Sequence, residues 1–369
     1  MKAFPQFLPY PLNPRPAYLR WLTTGAVMLC LVAVTGMQVS SFVEPRLALS
    51  AGVLVMMGWL LALILRMLYH HANRANAKRY AWGNAQVHQC WWQAHRQHVS
   101  MIESVMIGAA CSPAESVPEL FASTHLPGFD ARPDKSLLRS TLVYQRTRVA
   151  REAELARWLA WQWQEEYPAS AAVQPLQCYW LGSPEAWQAF TARVAELMPL
   201  ARLPQQPQPW QGIETLDGII DSLQGAAAPA RVLCAGCLSL DDVAQAGEAA
   251  VLWLLGPQGG PHVLRGEWVG TDADALPAAA QRALKQAGLD KPAQACMSFS
   301  QPASLEVGKI GWDIAEHLQD AQFGALGELA PMVTLTLACE YARSQLQPCA
   351  WLASDPQHTL ALGVVLPDV

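Results

Sequence analysis

The chain has 369 residues, of which 52% are hydrophobic and 15% charged, and its formal net charge is −5. A soluble domain usually carries about 25% charged residues, so this composition argues against a disordered chain and against a nucleic-acid-binding protein. Residues 1–80 hold eight Lys or Arg and one acidic residue, whereas residues 81–369 hold 17 basic and 29 acidic residues. This asymmetry is typical of a membrane-facing segment joined to an acidic soluble domain.

Two uncharged runs near the N-terminus predict a pair of membrane spans. Residues 21–42 and residues 47–65 carry no charged side chain, and a helix needs about 20 residues to cross the hydrocarbon core of a bilayer. A secretory signal peptide is the alternative for the first run, but its apolar core would be only about 7–15 residues long. We therefore predict a transmembrane helical hairpin. Its predicted membrane anchors are Trp21, Phe42, Leu47, Trp59 and Leu65.

Basic residues flank both spans on one side of the membrane. The N-terminal tail carries Lys2, Arg15 and Arg20, and the segment after the second run is also basic. Lys and Arg near the ends of spans favour the cytoplasmic side. We therefore expect a protein of the bacterial inner membrane that crosses it twice, with the N-terminus and the large C-terminal part in the cytoplasm.

Residues 70–100 are crowded with histidine, tryptophan and amide side chains, and include five histidines and Cys90. A metal cluster is one interpretation, yet no carboxylate joins these groups before Glu103 and the spacing is not that of a zinc site. We favour a juxtamembrane amphipathic helix beside the lipid head groups. No metal or other cofactor is expected.

Strands and helices alternate in the rest of the chain, which predicts an α/β sheet covered by helices. The turn at 256–260 is expected to join two paired strands as a hairpin, and the last two strands to form another. The predicted strands lie at 104–110, 177–181, 231–235, 248–255, 262–269, 295–299, 349–353 and 360–365. The predicted helices lie at 116–123, 146–167, 184–198, 213–223, 274–287 and 332–345.

Three tryptophans lie within six residues of the predicted helix at 146–167. Tryptophans at such spacing are usually core residues, but three so close together cannot all face one way. At least one must therefore meet another surface. Trp158, Trp161 and Trp163 are our candidate interaction surface.

Several stretches from Arg231 onward resemble the thiolase-like fold of β-ketoacyl synthases. Residues 231–240 are similar to a strand and turn of that family, and residues 247–254 to its Gly-Glu-Gly-Ala strand. Residues 275–299 resemble its helix–Ala-Gly-Leu–strand unit. Residues 323–330 resemble its Gly-x-x-Gly-x-x-Ala turn, and residues 349–365 its closing hairpin. The resemblance covers residues 100–369 and implies a layered α/β domain.

The resemblance also implies where catalytic groups would lie. The family places a nucleophilic cysteine at the N-terminus of a buried helix, which corresponds to the region of Gln208, and two histidines in regions that correspond to 298–300 and 322–323. None of these positions holds Cys or His. We therefore name no catalytic residue and expect a degenerate member of the fold that is not an enzyme.

A membrane-anchored protein of this layout resembles the adaptors found with lipase effectors of the type VI secretion system. The resemblance implies a scaffold that binds a protein partner, either a secreted effector or a component of the secretion machine, and that forms a homodimer. One alternative is a membrane-bound acyltransferase or condensing enzyme that uses acyl carrier protein, with Cys111, Cys234 or Cys237 as nucleophile. The other is a structural subunit of a membrane machine.

The predicted organisation has four parts. A cytoplasmic tail (1–20) precedes the two-helix transmembrane hairpin (21–69). A juxtamembrane helical segment (70–100) then leads to a cytoplasmic thiolase-like α/β domain (101–369).

Overall fold

A computed structural model describes residues 4–39, 45–109, 111, 120–121, 130–131, 137–139, 143–240, 246–270, 275–300, 310–312 and 317–368. The chain forms two compact units. The N-terminal unit ends at Trp92 and the C-terminal unit begins at Gln93.

Two helices dominate the N-terminal unit. Helix α1 covers Tyr18–Val39 and helix α2 covers Pro45–His95, and both are long and apolar enough to cross a membrane. The two helices pack closely at two glycines, Gly25 of α1 and Gly52 of α2. A Cβ at Gly25 would stand 2.6 Å from the ring of Trp59, and one at Gly52 would stand 2.7 Å from Val32. The two helices therefore form the hairpin that the sequence predicts.

The predicted anchor residues are placed in different ways by this hairpin. Trp21 and Trp59 are half-buried and Leu65 is exposed. Phe42 lies outside the described residues, and only the backbone of Leu47 is described.

Helix α2 continues without a break for 30 residues beyond the uncharged run that ends at Leu65. The segment before α1 packs along this continuation. The hydroxyl of Tyr80 donates to the carbonyl of Leu8 at 2.9 Å, and the ring of Phe4 meets that of Trp91 edge-on at 5.0 Å. The His- and Trp-rich segment is thus an extension of the second candidate span.

The C-terminal unit is a mixed sheet with helices. Its helices are α3 (Arg148–Glu166), α4 (Pro184–Leu197), α5 (Ile213–Leu223), α6 (Ala275–Ala287), α7 (Asp320–Phe323) and α8 (Ala330–Gln345). Its strands are β1 (His98–Gly108), β2 (Asp130–Ala131), β3 (Leu137–Arg139), β4 (Gln177–Leu181), β5 (Gln208–Pro209), β6 (Val232–Ser239), β7 (Ala246–Gly256), β8 (His262–Leu264), β9 (Glu267–Val269), β10 (Ala295–Ser298), β11 (Cys349–Ser354) and β12 (Leu360–Leu366). The predicted helix at 116–123 lies mostly outside the described residues.

The main strand order is β10-β11-β12-β8-β1-β7-β6-β4-β5. The predicted hairpin between 248–255 and 262–269 is wrong, because β1 lies between β7 and β8 and pairs antiparallel with both. Ser100 faces Gly256 on one side and His262 on the other. The predicted closing hairpin is confirmed, since β11 and β12 pair antiparallel with Cys349 opposite Val365.

Helices cover both faces of the sheet. Alternate residues of a strand point to opposite faces. In β7, Trp253 therefore packs into the layer that contains α5 and α8, whereas Leu252 packs into the layer that contains α3 and α4. Helix α6 packs on a third buried cluster beside β11 and β12. This arrangement confirms the predicted layered α/β domain.

Candidate functional site

The start of helix α5 contacts the turn that joins β11 to β12. The side chain of Asp355, from this turn, reaches the start of the helix, where its Oδ1 accepts a hydrogen bond from the backbone N–H of Ile213 at 2.9 Å. Its Oδ2 accepts from the N–H groups of Gln357 and His358 at 3.2 and 3.1 Å. A buried carboxylate therefore occupies the positive end of a buried helix.

Gly212 makes this arrangement possible. It precedes α5 with φ of 67° and ψ of −136°, in a region of backbone conformation that favours glycine. A Cβ at this position would stand 2.1 Å from Oδ1 of Asp355. Only glycine leaves room for the carboxylate.

Two cavities share Asp355 as a lining residue. The outer one, which we call the acidic cavity, has a volume of about 550 Å³ and is lined by Phe299, Ser300, Asp320, Gly324, Ala325, Leu326, Gly327, Glu328, Ala330, Pro331, Ser354, Asp355 and Pro356. The inner one, which we call the inner cavity, has a volume of about 20 Å³. It is lined by Trp210, Gly212, Ile213, Leu216, Pro331, Leu335, Trp351, Ser354, Asp355 and Ala361.

A hydroxyl and a carboxylate are paired in the acidic cavity. The Oγ of Ser300 donates to Oδ1 of Asp320 at 2.7 Å, and the backbone N–H of Ser300 donates to Oδ2 at 2.7 Å. Ser300 follows β10, and Asp320 is the first residue of α7. A carboxylate that accepts a hydrogen bond from a hydroxyl can take its proton when the hydroxyl attacks an electrophile.

Two indole N–H groups beside the inner cavity have no acceptor among the described residues. Trp210 is 8% exposed and Trp351 is 4% exposed, and the Nε1 atom of each is fully buried. A buried donor without an acceptor costs about 1–3 kcal/mol. At Trp351 this donor lies over β12, where a Cβ at Gly363 would stand 2.8 Å from Nε1.

The three cysteines that were candidate nucleophiles lie in the core. Burial raises the pKa of Cys111, Cys234 and Cys237 well above the usual range of a thiol. On β6, Cys234 faces the layer of α5 and Cys237 faces the layer of α3. The two therefore do not form a redox pair, and a neutral buried thiol is a poor nucleophile.

No group of three His, Cys, Asp or Glu within the described ranges of the chain is placed to hold a metal ion. Of the positions that the family resemblance singled out, Phe299 and Ser300 line the cavity that Asp355 also lines, whereas Gln208 is exposed on β5 and Gln322 and Phe323 are buried on α7. Asp355 itself has only a weak signal in the sequence, an Asp-Pro pair between two apolar strands.

The structure separates the three tryptophans of α3. Trp163 is completely buried, and its Nε1–H donates to Oε2 of Glu103 at 2.7 Å. It is a core residue and must be removed from the candidate surface. Trp161 is 49% exposed and Trp158 is half-buried, with its Nε1–H donating to Glu154 at 3.1 Å.

Trp158 and Trp161 border an open groove of about 750 Å³ between α3 and α4, which we call the tryptophan groove. Two ion pairs lie along it, Arg157 with Glu154 at 2.7 Å and Arg193 with Glu196 at 2.8 Å. The groove is lined by Glu154, Arg157, Trp158, Trp161, Ala189, Ala192, Arg193 and Glu196.

No family model matches the chain, and no curated protein matches it. Solved structures do. The ishigamide ketosynthase/chain length factor is 13% identical with a TM-score of 0.50, and the match covers 74% of this chain and 100% of that one. The ketosynthase from module 1 of the bacillaene synthase of Bacillus amyloliquefaciens is 9% identical with a TM-score of 0.50, and the match covers 74% and 73%. The C-terminal unit has the thiolase-like fold.

The same comparison contradicts the prediction that the chain is not an enzyme. Both of these neighbours are ketosynthases, so the fold is one that condensing enzymes use. The prediction rested on three missing side chains. It overlooked the acidic cavity, which holds the hydroxyl–carboxylate pair of Ser300 and Asp320.

Proposed function

We propose that this protein is a membrane-anchored scaffold that binds a protein partner at the tryptophan groove. The observation that carries the proposal is the exposure of Trp161, 49%, beside Trp158 in an open groove. Tryptophan is the residue most enriched among those that dominate binding energy at protein interfaces. The exposed Trp161 beside the half-buried Trp158 therefore supports a protein-binding surface at this groove.

The groove favours a partner segment that carries both an apolar anchor and charges. Ala189 and Ala192 are small, which leaves space for one large apolar side chain beside the two indoles. Arg157 and Arg193 are paired on the surface with glutamates of their own helices. Such exposed pairs contribute little to stability, so charges of a partner can exchange with them at small cost. An amphipathic helix meets both requirements.

The anchor in this proposal is the pair α1 and α2. The excess of Lys and Arg over acidic residues in positions 1–80 favours a cytoplasmic location for both ends of the hairpin. The protein would then lie in a bacterial inner membrane with its thiolase-like unit in the cytoplasm. The resemblance to adaptors of the type VI secretion system makes a secreted effector, or a component of that machine, the partner that we propose.

The test is affinity purification of the full tagged chain from its host in mild detergent. Trp161→Glu should lower the amount of co-purified partner about tenfold or more, because a tryptophan anchor contributes roughly 2 kcal/mol or more. The matched control is Leu346→Glu. Leu346 is exposed and follows α8, on the opposite face of the sheet. Equal recovery with both variants would contradict the proposal, as would the absence of any stoichiometric partner.

A second candidate function is acyl transfer at the acidic cavity. It is favoured by the Ser300–Asp320 pair in a fold shared with ketosynthases. In this proposal the Oγ of Ser300 attacks the carbonyl of an acyl thioester carried by acyl carrier protein. Asp320 takes the hydroxyl proton and returns it to the departing thiolate, which leaves an acyl ester on Ser300 and a free thiol. A volume of about 550 Å³ is typical of a small-molecule site.

Mass spectrometry of the intact protein after incubation with an acyl-pantetheine thioester tests this second candidate. The expected result is a mass increase of one acyl group that is lost in Ser300→Ala and kept in Ser354→Ala, the other serine of the cavity. An adduct that survives in Ser300→Ala, or no adduct in the wild type, would refute it.

A further inference from the structure

The N-terminal unit carries positive charge that its own acidic side chains do not balance. Residues 1–80 hold eight Lys or Arg, and the only acidic residue before Glu103 is Glu44. Glu44 precedes Arg66 by 22 positions, in the segment between the two candidate spans. The described residues of this unit include no Asp or Glu. Its arginines therefore find no carboxylate among the described residues of the unit.

Two of these arginines flank a buried histidine on one face of α2. Arg66, His70 and Arg74 are spaced by four positions, so each side chain lies about one turn from the next on the same face of the helix. His70 is 6% exposed, whereas Arg66 is half-buried and Arg74 is exposed.

The tail before α1 adds a third arginine to this group. Nη2 of Arg66 donates to the carbonyl oxygen of Pro14 at 3.5 Å, and the next residue, Arg15, is exposed. The charges of Arg15, Arg66 and Arg74 all act on the ring of His70. We call Arg15, Arg66, His70 and Arg74 the basic cluster.

The apolar run of α2 fixes the depth of the basic cluster in a membrane. As a helix, residues 47–65 span about 28 Å, close to the roughly 30 Å of the hydrocarbon core. In the proposed anchor, Arg66 therefore lies at the edge of this core. His70 lies about 6 Å further along the helix axis, within a head-group layer that is about 5–8 Å thick on each side. The cluster is thus level with the lipid phosphates.

We propose that the basic cluster binds the phosphate of one anionic phospholipid of the membrane that holds the hairpin. The inference rests on the membrane anchor of the proposed function. An arginine presents two parallel N–H donors to phosphate oxygens, and the negative charge of the lipid offsets the repulsion among the three arginines. A zwitterionic lipid has the same phosphate, but its own cation opposes binding beside arginines. The cluster therefore selects phosphatidylglycerol over phosphatidylcholine.

The experiment is native mass spectrometry of the full chain in detergent, titrated with phosphatidylglycerol or with phosphatidylcholine. The first phosphatidylglycerol should bind about tenfold more tightly than the first phosphatidylcholine. Arg66→Gln and Arg74→Gln should each weaken phosphatidylglycerol binding about fivefold, the usual contribution of one basic residue near an anionic lipid. Millimolar inorganic phosphate should not displace the lipid. Displacement would indicate a site for soluble anions and overturn the proposal.

Arg79→Gln is the matched control, since it removes the same charge from the same helix. Arg79 is exposed and follows His70 by nine positions, which places it on the opposite face of α2. It lies about 20 Å beyond Arg66 along the helix axis, further than the screening length of about 8 Å at physiological ionic strength. Its loss should therefore change the affinity for phosphatidylglycerol by less than about twofold.

Equal weakening by Arg79→Gln and Arg66→Gln, or equal affinity of the wild type for the two lipids, would overturn the proposal. Circular dichroism should show the same melting temperature for each variant and the wild type. If Arg66→Gln does not fold, Arg74→Gln carries the test, because the side chain of Arg74 is exposed.

Extraction of host membranes with alkaline carbonate separates this inference from the anchor on which it rests. We expect the chain to stay in the membrane pellet. A chain that stays there but does not prefer phosphatidylglycerol would overturn the lipid site and leave the anchor standing. A chain released into the soluble fraction would overturn the anchor, and the lipid site with it.

Discussion

Gly212→Ala should destabilise the protein, although alanine favours helices more than glycine does. Gly212 has φ of 67° and ψ of −136°, a conformation that costs a residue with a Cβ about 1–3 kcal/mol. The new Cβ would also stand 2.1 Å from Oδ1 of Asp355 and 2.7 Å from Pro356. Asp355 must then move, and the loss of its hydrogen bond to the helix start costs about 1 kcal/mol. Together these effects lower the free energy of unfolding by about 2–4 kcal/mol.

Gly218→Ala provides a control within the same helix. Gly218 lies in the interior of α5 and is exposed, and a Cβ there would meet no atom within 4 Å. Alanine at such a position stabilises a helix by about 0.5–1 kcal/mol. The two substitutions are chemically identical, yet Gly212→Ala should lower the free energy of unfolding and Gly218→Ala should raise it.

Urea denaturation of both variants in detergent, followed by circular dichroism, measures the difference. Gly212→Ala should unfold at a lower urea concentration than the wild type and Gly218→Ala at a higher one, with similar slopes of the unfolding free energy against urea. A Gly212→Ala protein within about 0.5 kcal/mol of the wild type would refute the assigned conformation at the start of α5.

Three further predictions concern the C-terminal unit and the long helix. Glu248 is completely buried and accepts from Nε and Nη2 of Arg151 at 2.7 and 2.6 Å. Glu248→Ala should therefore lower the free energy of unfolding, measured by urea denaturation, by about 3–5 kcal/mol, because it leaves Arg151 as a buried charge without its partner. Adding Arg151→Met should recover part of this free energy. Cys90, on the long helix α2, is exposed, whereas burial raises the pKa of the thiols of Cys111, Cys178, Cys234, Cys237, Cys339 and Cys349 in the C-terminal unit, that of Cys178 to about 12. Iodoacetamide at neutral pH should thus label Cys90 before any of those thiols, as peptide mass spectrometry would show. The pKa of His98 is lowered first by burial and second by His262, whose ring stacks on that of His98 with 4.2 Å between the ring centroids. The unfolded chain then binds this proton more readily, so stability should fall as the pH drops below about 6.5, and His98→Gln should make that fall shallower in urea midpoints measured against pH.

Local patterns predict the elements of this protein well. The periodicity of apolar residues places α3 at 146–167, against Arg148–Glu166 in the structure, and α4 at 184–198, against Pro184–Leu197. The closing hairpin also follows from two apolar runs joined by a polar turn. In each case the determining residues lie close together in sequence.

Long-range contacts account for what the sequence does not predict. β7 and β8 are neighbours in the chain, and a glycine-rich turn joins them, yet β1 inserts between them from about 150 positions earlier. Trp163 is a core residue because it meets Glu103, 60 positions away. Asp355 reaches Ile213 across 142 positions. Neither the periodicity of apolar residues nor a turn motif predicts contacts between residues so far apart in the sequence.

Photo-crosslinking in intact cells tests the central claim, that the tryptophan groove holds a protein partner. A photoreactive amino acid in place of Trp161 or Ala192 would lie in the groove, and one in place of Leu346 would lie on the opposite face of the sheet. We expect one crosslinked protein, the same for both groove positions and absent at position 346. Crosslinks of equal yield at all three positions, or none in the groove, would contradict it.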